Sequence, residues 1–327
     1  MLPSSQDVSP APQGGCPFRG SAAPAGTSAS ASIVQPVHAR RFGLLRNPSV
    51  SAEIARLDAQ RDCQRIVHLL TAYEFPADMT HALELALFHT YGSRSVSRLL
   101  DRTGQFRRAG QKRYDDTYLL IAHFMESGWD SELGQRALSR MNAIHSHYRI
   151  PNEDYLFVLW TFMDFPVEWL RAYGWRAMTP HECEAWFHYW RGIGERMGMS
   201  DIPASKDEFD SFVSEYEARE FVPDEASRRV TADTVAIFEG WLPRPLRPAV
   251  RPVAACLARP RFRHAVGWTE PSALLQLLLF AVLKTRRLCK RMLAIEAYPT
   301  LVGNKRYRHY PEGIPAIEEL GPDRPRR

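Results

Sequence analysis

Two polar residues interrupt the apolar face of a predicted helix in the segment KRYDDTYLLIAHF, residues 112–124. At about 100° per residue, Arg113 and Thr117 lie on the same helical face as the apolar Leu120. Burying a guanidinium without an anionic partner costs on the order of several kcal/mol. This face therefore meets either water or an anionic group that the chain itself does not supply.

The next predicted helix contains a histidine on its inward face. Within the segment SELGQRALSRMNAIHSHYRIPNEDY, His145 shares a helical face with Met141 and Tyr148. His147 points about 160° away, toward the polar side of the same helix. A single inward histidine is more often a hydrogen-bonded core residue than a metal ligand. On its own, this residue therefore does not define a site.

The two helices together make a stronger pattern, because only the short link SGWD joins them. Arg113, Thr117 and His145 then face one interior, where an anionic group that contains a metal would satisfy all three. Haem b fits this description, since its iron binds a neutral imidazole and its propionates pair with guanidinium and hydroxyl groups. We therefore predict haem b as the cofactor.

A longer stretch of the chain resembles a known enzyme family. The runs RYDDT and ALSRMNAIHSHYRIPNEDYLFVLWTFMDFPVEWLRAYGWRAMTPHECEAWFHYWRGIGERMGMSDIPAS resemble the MpaB oxygenases, which are related to the latex-clearing rubber oxygenases. The resemblance implies an all-α, globin-like haem b oxygenase that uses O2 to cleave carbon–carbon double bonds of isoprenoid chains. The arginine, threonine and proximal histidine of the family match Arg113, Thr117 and His145, with His147 as the second choice for the iron ligand.

Three further charged residues belong to the predicted site. If O2 attacks an alkene in a dry pocket, Asp115 or Asp116 is a candidate base for removing an allylic proton. The alternative for both is a structural carboxylate near a helix amino terminus. Arg176, next to Trp175, is a candidate second contact to a propionate, or else it caps the end of a helix.

Two alternative functions remain open. His181, Glu184 and His188 lie on one helical face with metal-ligand spacing, which suggests a non-haem diiron oxygenase. However, the order His-x-x-Glu, repeated at His81 and Glu84, is the reverse of the Glu-x-x-His motif of diiron bundles. A helical carrier of a lipophilic ligand, without any enzymatic activity, is the second alternative.

These residues are expected on a multi-helix bundle. Residues 1–44, rich in proline, glycine, serine and alanine, are predicted to be a disordered leader. Residues 45–310 are predicted to form the helical domain, and residues 311–327 an extended tail. Capping and breaking residues predict helices at 51–73, 77–91, 93–101, 112–127, 131–148, 152–171, 180–198, 205–220, 224–241 and 272–294.

The composition limits the class of protein and its partners. A net charge of +5, from 42 basic and 37 acidic residues, is too small to indicate nucleic-acid binding. The five cysteines are widely spaced, which indicates a reducing, cytoplasmic environment. The predicted partners are O2 and a small apolar substrate. At most, the apolar and basic residues 273–294 make peripheral contact with a membrane.

Overall fold

The chain folds as a succession of α-helices. The computed structural model describes residues 40–41, 45–46, 48–293, 300–303 and 306–322. Its helices are α1 (Ser49–Ile54), α2 (Cys63–Leu69), α3 (Pro76–Thr90), α4 (Arg94–Thr103), α5 (Gln105–Ser127), α6 (Glu132–His145), α7 (Asn152–Tyr173), α8 (Pro180–Arg196), α9 (Lys206–Glu220), α10 (Glu225–Gly240), α11 (Val250–Leu257), α12 (Pro260–Ala265) and α13 (Ala273–Met292). The all-α prediction is confirmed, whereas the globin-like arrangement stays a prediction.

Short elements complete the described residues. A π-helix spans Leu70–Glu74, and 3-10 helices span Arg244–Ala249 and Ile317–Glu319. Two-residue strands, β1 (Arg40–Arg41) and β2 (Leu45–Arg46), pair antiparallel. The leader predicted for residues 1–44 lies almost entirely outside the described residues.

Three predicted helices begin at capping residues, whereas Ser51, the predicted start of the first helix, lies inside α1. Thr179 forms a complete capping box with Glu182, because each side chain accepts a hydrogen bond from the backbone amide of the other. Ser131 and Ser205 cap α6 and α9 in the simpler way, by accepting one backbone amide each. These helix starts are confirmed.

Two predicted helices have different bounds in the structure. The helix predicted at 51–73 is interrupted, because Asp58 accepts the backbone amides of Gln60 and Arg61 and so competes with helical hydrogen bonding. Helix α5 begins at Gln105, seven residues before the predicted start, and bends at Ala109, where φ is −145° and ψ is 39°. No helix was predicted at the positions of α11 and α12, which lie among closely spaced prolines.

The core is built where long helices pack against one another. Helix α3 packs along α7, α5 along α6, α4 against α10 and α2 against α8. Large aromatic side chains, including Trp186, Tyr189 and Phe157, are almost completely buried between these helices. Toward α4, α5, α6 and α10 the packing is incomplete, and the helices enclose a cavity.

The C-terminal segment, residues 306–322, packs against the helices. Ile317 and Leu320 are buried. On α6, Arg140 donates a hydrogen bond of 2.6 Å to the Leu320 carbonyl oxygen, and Arg136 forms an ion pair of 2.8 Å with Glu318. The sequence predicted an extended tail from residue 311, but the described part of this segment belongs to the packed domain.

Candidate functional site

A cavity of about 340 Å³ lies between α3, α4, α5, α6, α7 and α10, with the C-terminal segment along one edge. Apolar side chains form most of its wall, among them Leu83, Leu87, Leu99, Leu100 and Ile121. A volume of this size lies in the range of pockets for small molecules and cofactors. The cavity is therefore the candidate functional site.

Helices α5 and α6 place the predicted cofactor-binding residues on this cavity. Arg113 and Thr117 line it from α5, together with Leu120 of the same helical stripe, and His145 lines it from the end of α6. His147 is exposed outside the cavity, with its Nδ1 atom 2.6 Å from the carbonyl oxygen of Ala143. The structure thus separates the two histidines, while the role of His145 as a ligand stays a prediction.

Arg113 is a cation without an anionic partner. Its guanidinium lies over the Phe106 ring, 4.7 Å from the ring centroid. Across the described part of the chain it forms neither an ion pair nor a hydrogen bond. Burial lowers the pKa of Arg113, an effect that Tyr91, Tyr148 and Asp116 partly oppose. Because guanidinium groups keep their proton even when the pKa falls, the cavity wall contains a fixed positive charge.

The His145 imidazole is neutral, and it has no hydrogen-bond partner among the residues with described coordinates. Its Nδ1 atom is buried and forms no hydrogen bond with any residue that the structure describes. Burial, followed by the positive charge of Arg113, lowers the pKa of His145 from 6.5 to about 4. The ring is therefore uncharged near neutral pH, which is the form that binds a metal ion. Tyr155 holds the ring from the side, with 5.6 Å between the ring centroids.

The side chains of Arg113 and His145 provide the chemical groups that haem b requires. A buried imidazole nitrogen without a hydrogen bond suits an iron atom, and an unpaired guanidinium suits a carboxylate. Thr117 adds a hydroxyl that, within the described ranges, has no hydrogen-bond partner either. The wall thus combines an imidazole, a cation and a hydroxyl in a mainly apolar cavity, which Glu84, Lys112, Asp116 and Asp154 also line.

Asp115 and Asp116, the predicted distal bases, hold the C-terminal segment. Asp116 accepts hydrogen bonds from Lys112 Nζ at 2.7 Å, from the Gly321 amide at 2.9 Å and from the Tyr310 hydroxyl at 2.5 Å. Asp115 does not line the cavity, and it accepts the His309 amide at 2.8 Å. The structural alternative describes both carboxylates better, because their oxygens are already occupied.

Arg176 does not line the cavity, so the predicted second propionate contact is replaced by a different role. Its guanidinium forms ion pairs with Glu182 at 2.6 Å and with Glu74 at 2.9 Å. It also lies over the rings of Phe75 and Trp175, which contact each other. These contacts join α8 to the π-helix and leave no donor directed at a cofactor in the cavity.

The alternative diiron site lacks a ligand cluster. Among residues 48–293 and the short described stretches beyond them, no three His, Cys, Asp or Glu side chains converge to hold a metal ion. His188 and Glu184 are 3.9 Å apart, and the buried Nε2 atom of His181 has no hydrogen-bond partner. These residues form a partly exposed helix face rather than a metal centre.

Three aromatic residues of the site were not found from the sequence. Phe106 lies beneath Arg113 on the other side of the bend at Ala109, so regular helical spacing does not connect the two. Tyr91 and Tyr155 reach the cavity from α3 and α7, and nothing in their local sequence distinguishes them from core residues. The bend in α5 brings the Phe106 ring to the site, and the packing of separate helices brings the two tyrosine rings.

The comparisons with known proteins agree on one family. The family model described as ER-bound oxygenase mpaB/B'/rubber oxygenase, catalytic domain, matches residues 68–290. The chain is 29% identical over 239 residues to the ER-bound oxygenase mpaB' of Penicillium brevicompactum, a match that covers 68% of this chain and 56% of that protein. It is 30% identical over 215 residues to the ER-bound oxygenase mpaB of Penicillium roqueforti (strain FM164), covering 60% of this chain and 72% of that protein.

A third relative is also an ER-bound oxygenase. The chain is 31% identical over 183 residues to the ER-bound oxygenase mpaB of Penicillium brevicompactum, covering 50% of this chain and 47% of that protein. The chain thus spans about half the length of the two P. brevicompactum relatives. In the portion of this chain with described coordinates, no helix has the length and apolar character needed to cross a membrane.

Proposed function

Since the chain belongs to the family of the mpaB and rubber oxygenase catalytic domains, we propose that it is a haem b-dependent oxygenase acting with O2 on an apolar, alkene-bearing small molecule. One observation carries the cofactor assignment: the cation of Arg113 and the neutral imidazole of His145, both without a hydrogen bond or ion pair among the described residues, line the same mainly apolar cavity. Without a ligand, both groups are desolvated at a net cost in free energy.

Each polar residue of the wall has a separate role in this proposal. His145 would bind the haem iron, Arg113 would pair with a propionate carboxylate, and Thr117 would donate a hydrogen bond to it. When bound, haem supplies the activation of O2 that attack on an alkene requires. The protein supplies the orientation of the cofactor and a neutral imidazole, which burial and the Arg113 charge maintain.

The apolar wall supports the substrate class. Leucine, isoleucine and phenylalanine side chains exclude water and favour a hydrocarbon ligand over a charged one. The alkene, its isoprenoid character and the oxidative cleavage of its C=C bond are proposed from the resemblance to the family. The proposal assigns no proton transfer to Asp115 or Asp116, because their oxygens already accept hydrogen bonds from the C-terminal segment.

An absorption spectrum of the purified full chain, combined with iron analysis, tests this proposal. Haem b bound through His145 is expected to give an intense Soret band and about one iron per chain after titration with hemin. Bound iron without a Soret band would instead support a diiron centre. Binding of a lipophilic fluorophore in a chain that takes up neither iron nor hemin would support the carrier. Either of these two results overturns the proposal.

A further inference from the structure

Helix α13 turns apolar residues inward in its first half and basic residues inward in its second half. Arg286 and Lys290 reach into the protein and form ion pairs of 2.6 Å and 3.0 Å with the completely buried carboxylate of Asp78 on α3. Arg287 donates hydrogen bonds to backbone carbonyl oxygens at the end of α7. These basic contacts, together with Leu283 on the core and Phe280 stacked on Tyr173, hold one side of the helix to the domain.

The opposite side of α13 presents large apolar residues to the outside. They share one side of the helical wheel over the length of the helix and are 56–70% exposed: Leu274, Leu277, Leu278, Val282, Leu288 and Met292. We call this row the leucine face. The helix already packs on the domain through its other side, so this exposed row of large apolar residues indicates that the leucine face meets an apolar partner.

The charge around the leucine face identifies the kind of partner. Residues 241–293 contain eleven lysines and arginines and a single acidic residue, Glu270. Lys284 and Arg291 are exposed on α13 itself, and the neighbouring 3-10 helix and α11 add the exposed Arg247 and Arg251. A leucine row bordered by cations matches the boundary between the acyl chains and the anionic headgroups of a lipid bilayer.

A second copy of the chain matches this surface less well. Pairing two leucine faces would bring the cations of both copies together without acidic residues between them, and such like-charge contacts cost free energy. We propose that α13 docks lengthwise on an anionic membrane surface, with the leucine face inserted at the headgroup boundary and the flanking cations on lipid phosphates. The contact is peripheral, because one side of the helix stays paired with Asp78.

Flotation of the full chain with lipid vesicles tests this proposal. We expect binding to vesicles of phosphatidylcholine with 30% phosphatidylserine (about a third of the lipid, as in anionic leaflets), and weak binding to phosphatidylcholine alone. The double variant Leu277→Gln and Val282→Gln is expected to lower the affinity at least about tenfold, because it removes apolar area from the inserted face. Leu133→Gln, at an exposed leucine of α6, is the matched control and should bind normally.

A second pair of variants separates charge from apolar contact. Lys284→Gln and Arg291→Gln should each weaken binding to the anionic vesicles about fivefold, whereas Arg61→Gln should not. Equal binding by all variants, or no binding of the wild type to anionic vesicles, overturns the proposal. A concentration-dependent dimer that only the Leu277→Gln and Val282→Gln variant loses would assign the leucine face to a second copy and would also overturn it. Docking requires no cofactor, so these results are independent of haem binding.

Discussion

On α5, Lys112 and Arg113 are neighbours in sequence, but they meet different surroundings. Lys112 is buried against Asp116 at 2.7 Å and donates a hydrogen bond of 2.6 Å to the Gly321 carbonyl oxygen. Arg113 faces the cavity, where its contact with the chain is the ring of Phe106. The described part of the chain thus pairs the first cation with a carboxylate, whereas it forms no ion pair with the second.

This difference separates a structural charge from a binding charge. Helix α5 and the C-terminal segment satisfy Asp116 and Lys112 completely, so these two residues fix the fold along one edge of the cavity. Within the described residues, Arg113 forms no ion pair or hydrogen bond and the His145 Nδ1 atom has no hydrogen-bond partner, and both residues line a mainly apolar cavity. Buried polar groups without partners are costly, and a ligand that pairs with them removes this cost.

The largest predicted effect is the loss of haem binding when His145 is replaced. His145→Ala should abolish haem retention, because it removes the proposed iron ligand, and the Soret band should disappear. The absorption spectrum after hemin titration measures this. His147→Ala is the matched control, since its ring lies on the surface and away from the cavity. Haem retention in the first variant, with loss in the second, would reverse the assignment.

A large effect on stability is expected from Asp116. Asp116→Ala leaves the Lys112 cation buried without its carboxylate and should lower the free energy of unfolding by about 3–5 kcal/mol. Urea denaturation of the apoprotein measures the change. The double variant Asp116→Ala and Lys112→Met should recover part of the loss, because both charges are then removed. An unchanged stability in the single variant would show that this pair does not anchor the C-terminal segment.

A smaller effect, on haem affinity, is expected when Arg113 is replaced. Arg113→Leu should weaken haem affinity about tenfold, through loss of the propionate contact, which corresponds to about 1.4 kcal/mol. The same substitution should not destabilise the apoprotein, because it removes a cation that has no anionic partner. Arg176→Leu provides the contrast: it should lower apoprotein stability by leaving Glu74 and Glu182 unpaired. Unchanged haem affinity in the Arg113→Leu variant would contradict the proposed contact between Arg113 and a propionate.

The smallest effect is a pH dependence of apoprotein stability. In the unfolded chain His145 takes up a proton near pH 6.5, but in the folded protein its pKa is about 4. The unfolded state therefore binds more protons between these values, and stability decreases as the pH falls from 6.5 to about 4. Comparing His145→Gln with the wild type isolates this contribution from that of His68, whose pKa is also about 4. A parallel pH dependence in both proteins would contradict it.

The comparison also shows how much of the site the sequence could predict. Helical periodicity placed Arg113 and Thr117 on one face of α5 and separated His145 from His147, because neighbours within a helical turn are fixed by 3.6-residue spacing. The same spacing could not assign partners to Arg176 or Asp116. Glu74 lies 102 residues from Arg176 along the chain, and Gly321 lies 205 residues from Asp116.

The sequence by itself determined the all-α class, the capped helix starts, and which polar side chains share a helical face. These features depend on contacts within one or two turns. The tertiary structure alone decided which charged side chains form ion pairs within the described chain. It also turned the leucine face of α13 outward, because Lys290 pairs with the buried Asp78 on the opposite side. Those outcomes depend on how distant helices pack, and spacing along a single segment does not encode that packing.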